Sequence, residues 1–369
     1  MKRIVFGITG LTIGGAERVL VDVVNKLKDE FDVTIFTIYS GGELEKQVSS
    51  EVKIKSLYNF AYSSLSGVNK VLIPIKLFLS KGRIYKKHIK NQYDTEIAFL
   101  EGPITTLFSA SNNKKIAWVH NDISLVFGTG IKAEIKRILN KNVYAKYNKI
   151  VFVSKDNLEK FNKIYNINVD KQVIYNYIDK ENVIKQANVG ATSGHGQLNS
   201  ATTKNINILS IARLVPQKAI DRLAKVHAKL IADGYNHNIY IIGDGPEKAK
   251  INKIIQELNI QDTFVLLGKQ ENPYPYLNQA DVFALLSSFE GYGIVIEEAK
   301  ILNKYVIITD TAAREAVQNY PSSKIVANSE DGIYEGLRDL ITNKDKYIVA
   351  ENKFNYDNGS ILDEIKEIL

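Results

Sequence analysis

The chain has 369 residues, 45% hydrophobic and 24% charged, with 23 Gly and 7 Pro; this excludes collagen-like, coiled-coil and wholly disordered readings and, at roughly 100–200 residues per domain, points to two domains. It has no cysteine and five His, which excludes a disulfide scaffold, thiol catalysis and Cys-ligated zinc, and leaves little room for a histidine-rich metal site. The net charge of +7 divides unevenly, with 28 Lys+Arg against 17 Asp+Glu in residues 1–180 and 20 against 24 in residues 181–369, so the first half suits a polyanionic partner, either a nucleic acid or an anionic membrane leaflet.

Lys2 and Arg3 precede an apolar run, as in a signal peptide. Gly7, Thr9, Gly10, Gly14 and Gly15 break that run and no small-residue cleavage site follows, so the start reads as a buried first strand of a cytoplasmic protein. No apolar stretch reaches the ~18 residues of a membrane helix. The longest, Val71 to Leu79, contains Pro74 and Lys76. Predicted strands of the first half are Ile4–Ile8, Val33–Ile38, Val52–Ser56, Glu96–Leu100, Ile116–Val119, Ile150–Val153 and Val173–Tyr175. Several are unbroken apolar runs, as expected of parallel strands covered on both faces. Ala16–Lys28 carries a helical apolar stripe. The alternation restarts with strands at Ile206–Ile211, Ile239–Ile242, Phe264–Leu267, Val282–Leu285 and Tyr305–Ile308. Helices are predicted at Asp221–Ala232, Pro246–Leu258, Ile294–Leu302, Ala312–Asn319 and Ile333–Thr342. Between the halves, Gly190–Lys204 is polar and Gly/Ser-rich, a flexible excursion near a domain junction. The pattern predicts an α/β chain of two Rossmann-like halves with a cleft between them.

Five constellations fall at strand ends, where open α/β sheets bind ligands. Gly10-Leu-Thr-Ile-Gly14-Gly15-Ala-Glu17-Arg18 follows the first strand; alone it reads as a tight turn or as a loop that brings amides to a phosphate or sugar. Arg213 and Lys218 follow Ile206–Ile211 and read either as solvated surface cations or as a diphosphate grip. Gly243-Asp244-Gly245-Pro246-Glu247 reads first as a strand-to-helix turn with Pro opening the helix. Glu290-Gly291-Tyr292-Gly293-Ile294 leads into a helix carrying Glu298, about two turns in if the helix starts near Gly293. Trp118-Val119-His120 ends a strand of the first half, where His120 would lie at the cleft edge facing the second domain.

In this order the stretches resemble the family-4 retaining glycosyltransferases of GT-B fold, also called glycosyl transferases group 1, of bacterial surface-polysaccharide type. The resemblance rests on Gly14-Gly15-Ala-Glu17-Arg18, Trp118-Val-His120, Val153-Ser154, Ala212-Arg213-Leu, Lys218, Gly243-Asp244-Gly245-Pro246-Glu247, the E-x7-E spacing from Glu290 to Glu298, and Asp310-Thr-Ala-Ala-Arg314-Glu315. It implies a first, acceptor-binding domain over residues 1–180, a second, nucleotide-sugar-binding domain over 181–351, and a terminal helix within 352–369 packing back on the first. It implies that Arg213 and Lys218 hold the donor diphosphate, Glu298 the ribose, and Glu290 the transferred sugar, with amides around Tyr292, Gly293 and Ile294. His120 would contact that sugar from the acceptor domain. Gly14 and Gly15 would border the diphosphate and the acceptor, Gly243 would border the donor, and Lys269 and Gln270 would face the nucleobase. The chain departs from the family pattern at Ala212, where a Gly commonly precedes the Arg, at Tyr177, and in the length of the Gly190–Lys204 excursion.

The implied reaction is metal-independent transfer, with no cofactor, from a nucleotide-sugar (a UDP-sugar favoured over a GDP-sugar) to a glycan or polyprenyl-diphosphate-linked acceptor. No two Asp residues stand two positions apart, so the Asp-x-Asp signature of metal-dependent transferases is absent. Cations and a helix N-terminus can carry the charge of a leaving diphosphate. The basic run Lys70, Lys76, Lys81, Arg83, Lys86, Lys87 and Lys90, interleaved with apolar residues, and a second run, Lys132, Lys136, Arg137, Lys141 and Lys146, read as solvated helix faces or as peripheral contacts with the inner face of an anionic membrane. Competing readings are a sugar-nucleotide 2-epimerase, a catalytically silent GT-B partner subunit, and a nucleic-acid binder, for which no recognised motif is present.

Overall fold

The computed structural model describes residues 1–65, 69–123, 131–189, 198, 205–348 and 354–369. The 190–204 excursion therefore lies outside the described residues, apart from Leu198. The chain divides into two compact units, Met1–Ile178 with Asn358–Leu369, and Asp179–Asp357.

The first unit is built on a parallel sheet of β1 (Lys2–Ile8), β2 (Phe31–Tyr39), β3 (Lys53–Tyr58), β4 (Thr95–Ala98), β5 (Lys114–Val119), β6 (Lys149–Phe152) and β7 (Asp170–Val173). Its order is β3-β2-β1-β4-β5-β6-β7. The second sheet, also parallel, uses β8 (Ile206–Ile211), β9 (His237–Ile242), β10 (Phe264–Gly268), β11 (Val282–Leu285), β12 (Tyr305–Thr309) and β13 (Ser323–Val326), in the order β10-β9-β8-β11-β12-β13. In each sheet the winding direction reverses once, between β1 and β4 and between β8 and β11. Crossovers on opposite faces diverge there and leave a crevice at the strands' C-terminal ends.

The apolar runs become strands because helices cover both faces. The interior residues of β1, β9 and β12 are buried, and each enclosed Ile or Val stabilises the unit by about 1.5–3 kcal/mol. The final helix, Gly359–Ile368, buries Ile365 and Ile368 in the first unit. Thr95 donates to the Leu369 carbonyl at 2.7 Å, and Lys366 pairs with Glu30 at 2.6 Å.

Three expectations shift. The last strand of the first sheet ends at Val173 rather than beginning there, because Lys149–Asp170 pairing sets its register on β6. The helix expected over Ala312–Asn319 is confined to Arg314–Val317. Pro246 lies in a turn, and its helix starts at Lys248. Strand β13, a half-exposed edge, lacks the apolar run that would have marked it.

Candidate active site

In the second unit, the loops after β8 and β11 leave adjacent strands at the winding reversal. The first carries Arg213 and a short turn, Pro216–Lys218, before the Ile220–Ala232 helix. The second carries Glu290 and Gly293 before the Ile294–Ile301 helix. The topology thus brings Lys218 and Glu290 together across 72 residues. The ammonium donates to Glu290 Oε2, and both side chains are largely shielded from solvent. Ser287 Oγ contacts the same oxygen at 3.3 Å. Arg213 is exposed.

Local geometry fixes both loops. Gly243 has φ +147, and a Cβ there would stand 1.9 Å from the Ala212 carbonyl oxygen; one on Gly245 would stand 2.3 Å from that of Leu214. The two glycines let the 243–247 turn lie directly against the Arg213 loop. Leu214 N–H donates to Asp244 O, and Glu247 N–H donates to Leu214 O, each at 3.0 Å. The turn is therefore a buttress for the cation loop. Gly243 N–H also bonds Gly268 O at 2.9 Å, tying in the loop of exposed Lys269 and of Gln270, whose amide turns back to Leu267 O at 2.8 Å.

The 286–290 loop is held at four successive carbonyls. Leu286 accepts from Arg222 at 2.9 Å, Ser287 from Thr309 at 2.6 Å, Ser288 from Asn328 at 2.6 Å and Phe289 from Gln217 at 3.1 Å. Gln217 O in turn accepts the Ser288 N–H at 2.9 Å. These four positioning side chains escaped the sequence reading. They come from separate elements, and only Gln217, beside Lys218, carried a signal.

Gly293 (φ +74) caps the next helix in the left-handed region, which glycine enters without strain. The helix begins at Ile294, so Glu298 lies in its second turn, nearer the start than the spacing had suggested. Glu298 is buried and accepts from Tyr274 Oη at 3.0 Å. Its neighbour Glu297 is buried too and is held differently, by Lys300 at 2.8 Å and Tyr292 Oη at 2.9 Å. Burial raises the Glu297 pKa, opposed by Lys300.

In the first unit, Gly14 precedes and Gly15 opens the Gly15–Leu27 helix after β1. His120 follows β5, packed on Phe99 (ring centroids 4.8 Å) and stacked with Trp118. Burial lowers its pKa to about 3 against a hydrogen bond from the ring to the Phe99 carbonyl. The imidazole is therefore neutral near pH 7, and its buried Nε2 has no partner among the described residues.

Sequence reasoning missed Glu101, which follows β4 on the strand beside β5. Its Oε1 accepts the backbone N–H of His120 and of Asn121 at 2.6 Å each, and its Oε2 accepts from Asn121 Nδ2 at 3.1 Å. Burial raises its pKa, and these hydrogen bonds counter the rise. An acid ending a strand was visible in the sequence, but its partners nineteen and twenty residues on were not.

Among the described residues no three His, Asp or Glu side chains converge as a metal-binding group, and no helix is long and apolar enough to cross a membrane. Residues 195–353 match the family described as Glycosyl transferases group 1. The chain is 28% identical, over 92% of its length and 90% of the relative's, to the N-acetylgalactosamine-N,N'-diacetylbacillosaminyl-diphospho-undecaprenol 4-alpha-N-acetylgalactosaminyltransferase of Campylobacter jejuni. A second Campylobacter jejuni relative, named as an alpha-1,4-N-acetyl-D-galactosaminyltransferase acting on a diNAcBac-PP-undecaprenol-linked saccharide, is 24% identical over 96% of this chain and 90% of its own. Among solved structures, Anabaena HepE in complex with UDP and glucose superposes with TM-score 0.74 at 17% identity, covering 100% of this chain and 99% of that one. Sucrose-phosphate synthase from Thermosynechococcus elongatus gives TM-score 0.77 at 13% identity, covering 100% and 98%.

Proposed function

Because the chain is a group 1 glycosyltransferase with the GT-B fold, we propose that it moves a sugar, with retention and without a metal, from a UDP-sugar to a polyprenyl-diphosphate-linked acceptor in surface-glycan assembly. The observation that carries the donor half is the Lys218–Glu290 pair at the β8/β11 reversal, with exposed Arg213 on the preceding loop. UDP bound to HepE, and the undecaprenyl-linked substrates in the names of the Campylobacter relatives, support the choice of donor and acceptor.

The reaction breaks the bond from the anomeric carbon to the β-phosphate oxygen and forms one to an acceptor hydroxyl oxygen. The hydroxyl proton passes to the leaving diphosphate. Arg213 forks onto the diphosphate, and Lys218 adds a second charge as negative charge gathers on it. Glu290, rigid because its loop carbonyls are tied, receives the sugar hydroxyls, and Glu298 the ribose. Neutral His120 offers Nε2 as an acceptor for a sugar hydroxyl, which would satisfy that orphaned nitrogen. No side chain serves as nucleophile.

A thermal-shift panel of UDP- and GDP-sugars tests the reading, with UDP-N-acetylgalactosamine and UDP-glucose included. A UDP-sugar raises the melting temperature, the shift survives EDTA, and Lys218→Ala weakens donor affinity by about tenfold to a hundredfold, the loss of one charged hydrogen bond. Preference for GDP-sugars would replace the nucleotide, and a chelator-abolished shift would reject metal independence. Donor binding without transfer to any acceptor would return the chain to the silent-subunit reading.

A further inference from the structure

We propose that the helices Asn69–His88 and Ile131–Tyr144 of the first unit form a docking surface for the anionic headgroup layer of a lipid bilayer. This rests on residues outside the donor site and stands or falls separately from it.

The Asn69–His88 helix turns Leu77 and Tyr85 into the core, so the face away from them should be polar. Instead Leu72, Ile75 and Leu79 are exposed there, Leu79 at 77%, with exposed Phe78 on the flank. The same exposed face then becomes cationic at Arg83, Lys86 and Lys87. The helix carries six Lys and Arg and no acid. The Ile131–Tyr144 helix repeats the arrangement. Val143 and Tyr144 are buried, while Ile135, Ile138 and Leu139 are exposed at i, i+3 and i+4, beside exposed Lys136 and Lys141.

The two helices share a neighbour, the short Pro103–Phe108 helix, which both contact. Lys81 on the first lies close enough to Lys146, just beyond the second, for that charge to lower its pKa in addition to burial. Elsewhere among the described residues exposed large apolar side chains stand singly or in pairs, such as Leu258 and Ile325, which needs no explanation.

The combination selects the occupant. A solvated helix face has no use for four exposed large apolar residues in its first half. A nucleic acid would use the cations and leave the leucines in water. An interfacial bilayer site uses both, with apolar side chains inserted at the acyl boundary and Lys and Arg facing anionic headgroups. It also places a polyprenyl-linked acceptor in the same plane as the acceptor-binding unit.

The test is co-sedimentation of the full chain with phosphatidylcholine vesicles, with and without phosphatidylglycerol, at low and high salt. The protein sediments with the anionic vesicles, and salt releases it. Lys86→Glu with Lys87→Glu, and separately Leu79→Glu with Ile138→Glu, each reduce binding at least about tenfold. Leu258→Glu in the second unit leaves it unchanged. All variants keep the wild-type circular dichroism spectrum and donor-induced thermal shift, so a failed donor site and a failed membrane site are told apart. Equal binding to neutral vesicles would overturn the proposal. So would anionic binding indifferent to Leu79→Glu with Ile138→Glu, binding to nucleic acid but not to vesicles, or a concentration-dependent dimer abolished by Leu79→Glu.

Discussion

Glu101 shows how one carboxylate can hold a whole strand end. It receives three N–H groups from residues 120 and 121, so its removal leaves donors unpaired, at about 1–3 kcal/mol for each that water cannot reach. Glu101→Ala lowers the melting temperature by several degrees and reduces turnover more than donor affinity, and Glu101→Gln restores part of both. An unchanged melting temperature with intact turnover would remove the residue from the site. A second buried network sits far from it. His237 Nδ1 lies 2.9 Å from the Tyr235 carbonyl, His227 Nδ1 lies 2.9 Å from His237 Nε2, and His227 Nε2 lies 2.8 Å from Thr263 Oγ1. The chain closes with both rings neutral and cannot close with both charged, because two N–H groups would then face each other between His227 Nδ1 and His237 Nε2. Burial lowers their pKa values to about 3 and about 4, whereas the unfolded chain titrates near 6.5. The unfolded state therefore binds more protons below pH 6.5. The stabilisation is complete above that pH and is lost as pH falls towards 4, by about 1.4 kcal/mol per unit for a ring that stays neutral. Denaturant melts at pH 7 and 5.5 show this loss, and the double variant His227→Leu with His237→Leu flattens it; identical slopes would assign the loss to other groups.

Most elements were legible because unbroken apolar runs and Gly/Pro punctuation carry them. The run at Ile206–Ile211 is β8 residue for residue, and Val282–Leu285 is β11. Elements that escaped are held by context. Strand β13 exists because β12 offers it an edge; the Asn69–His88 helix, by contrast, occupies the basic run already legible as a helix face. At the site, residue types at strand ends were readable, including Arg213, Lys218 and Glu290, but the contacts that align them were not. The 286–290 loop depends on Arg222, Thr309, Asn328 and Gln217, which no spacing links to Glu290. Thr309→Val keeps the shape and removes the donor from a buried carbonyl. It costs about 1–3 kcal/mol in stability and lowers kcat with little change in donor affinity. An equal fall in both would mean that the loop merely loosens the whole second unit.

For the molecule as a whole, the charge asymmetry and the apolar faces belong to the first unit, and the Lys218–Glu290 pair to the second. The reversal of winding in each sheet explains why the chemistry-bearing residues gather at a few loops although they are scattered along the sequence. One more consequence comes from the closing helix, whose Leu369 carbonyl is held by Thr95. The ribosome makes the whole Asp179–Asp357 unit before residues 358–369 emerge. During synthesis the later-made unit can therefore mature first, while the earlier one waits, with part of its hydrophobic surface uncovered, for a segment that follows its neighbour in the chain.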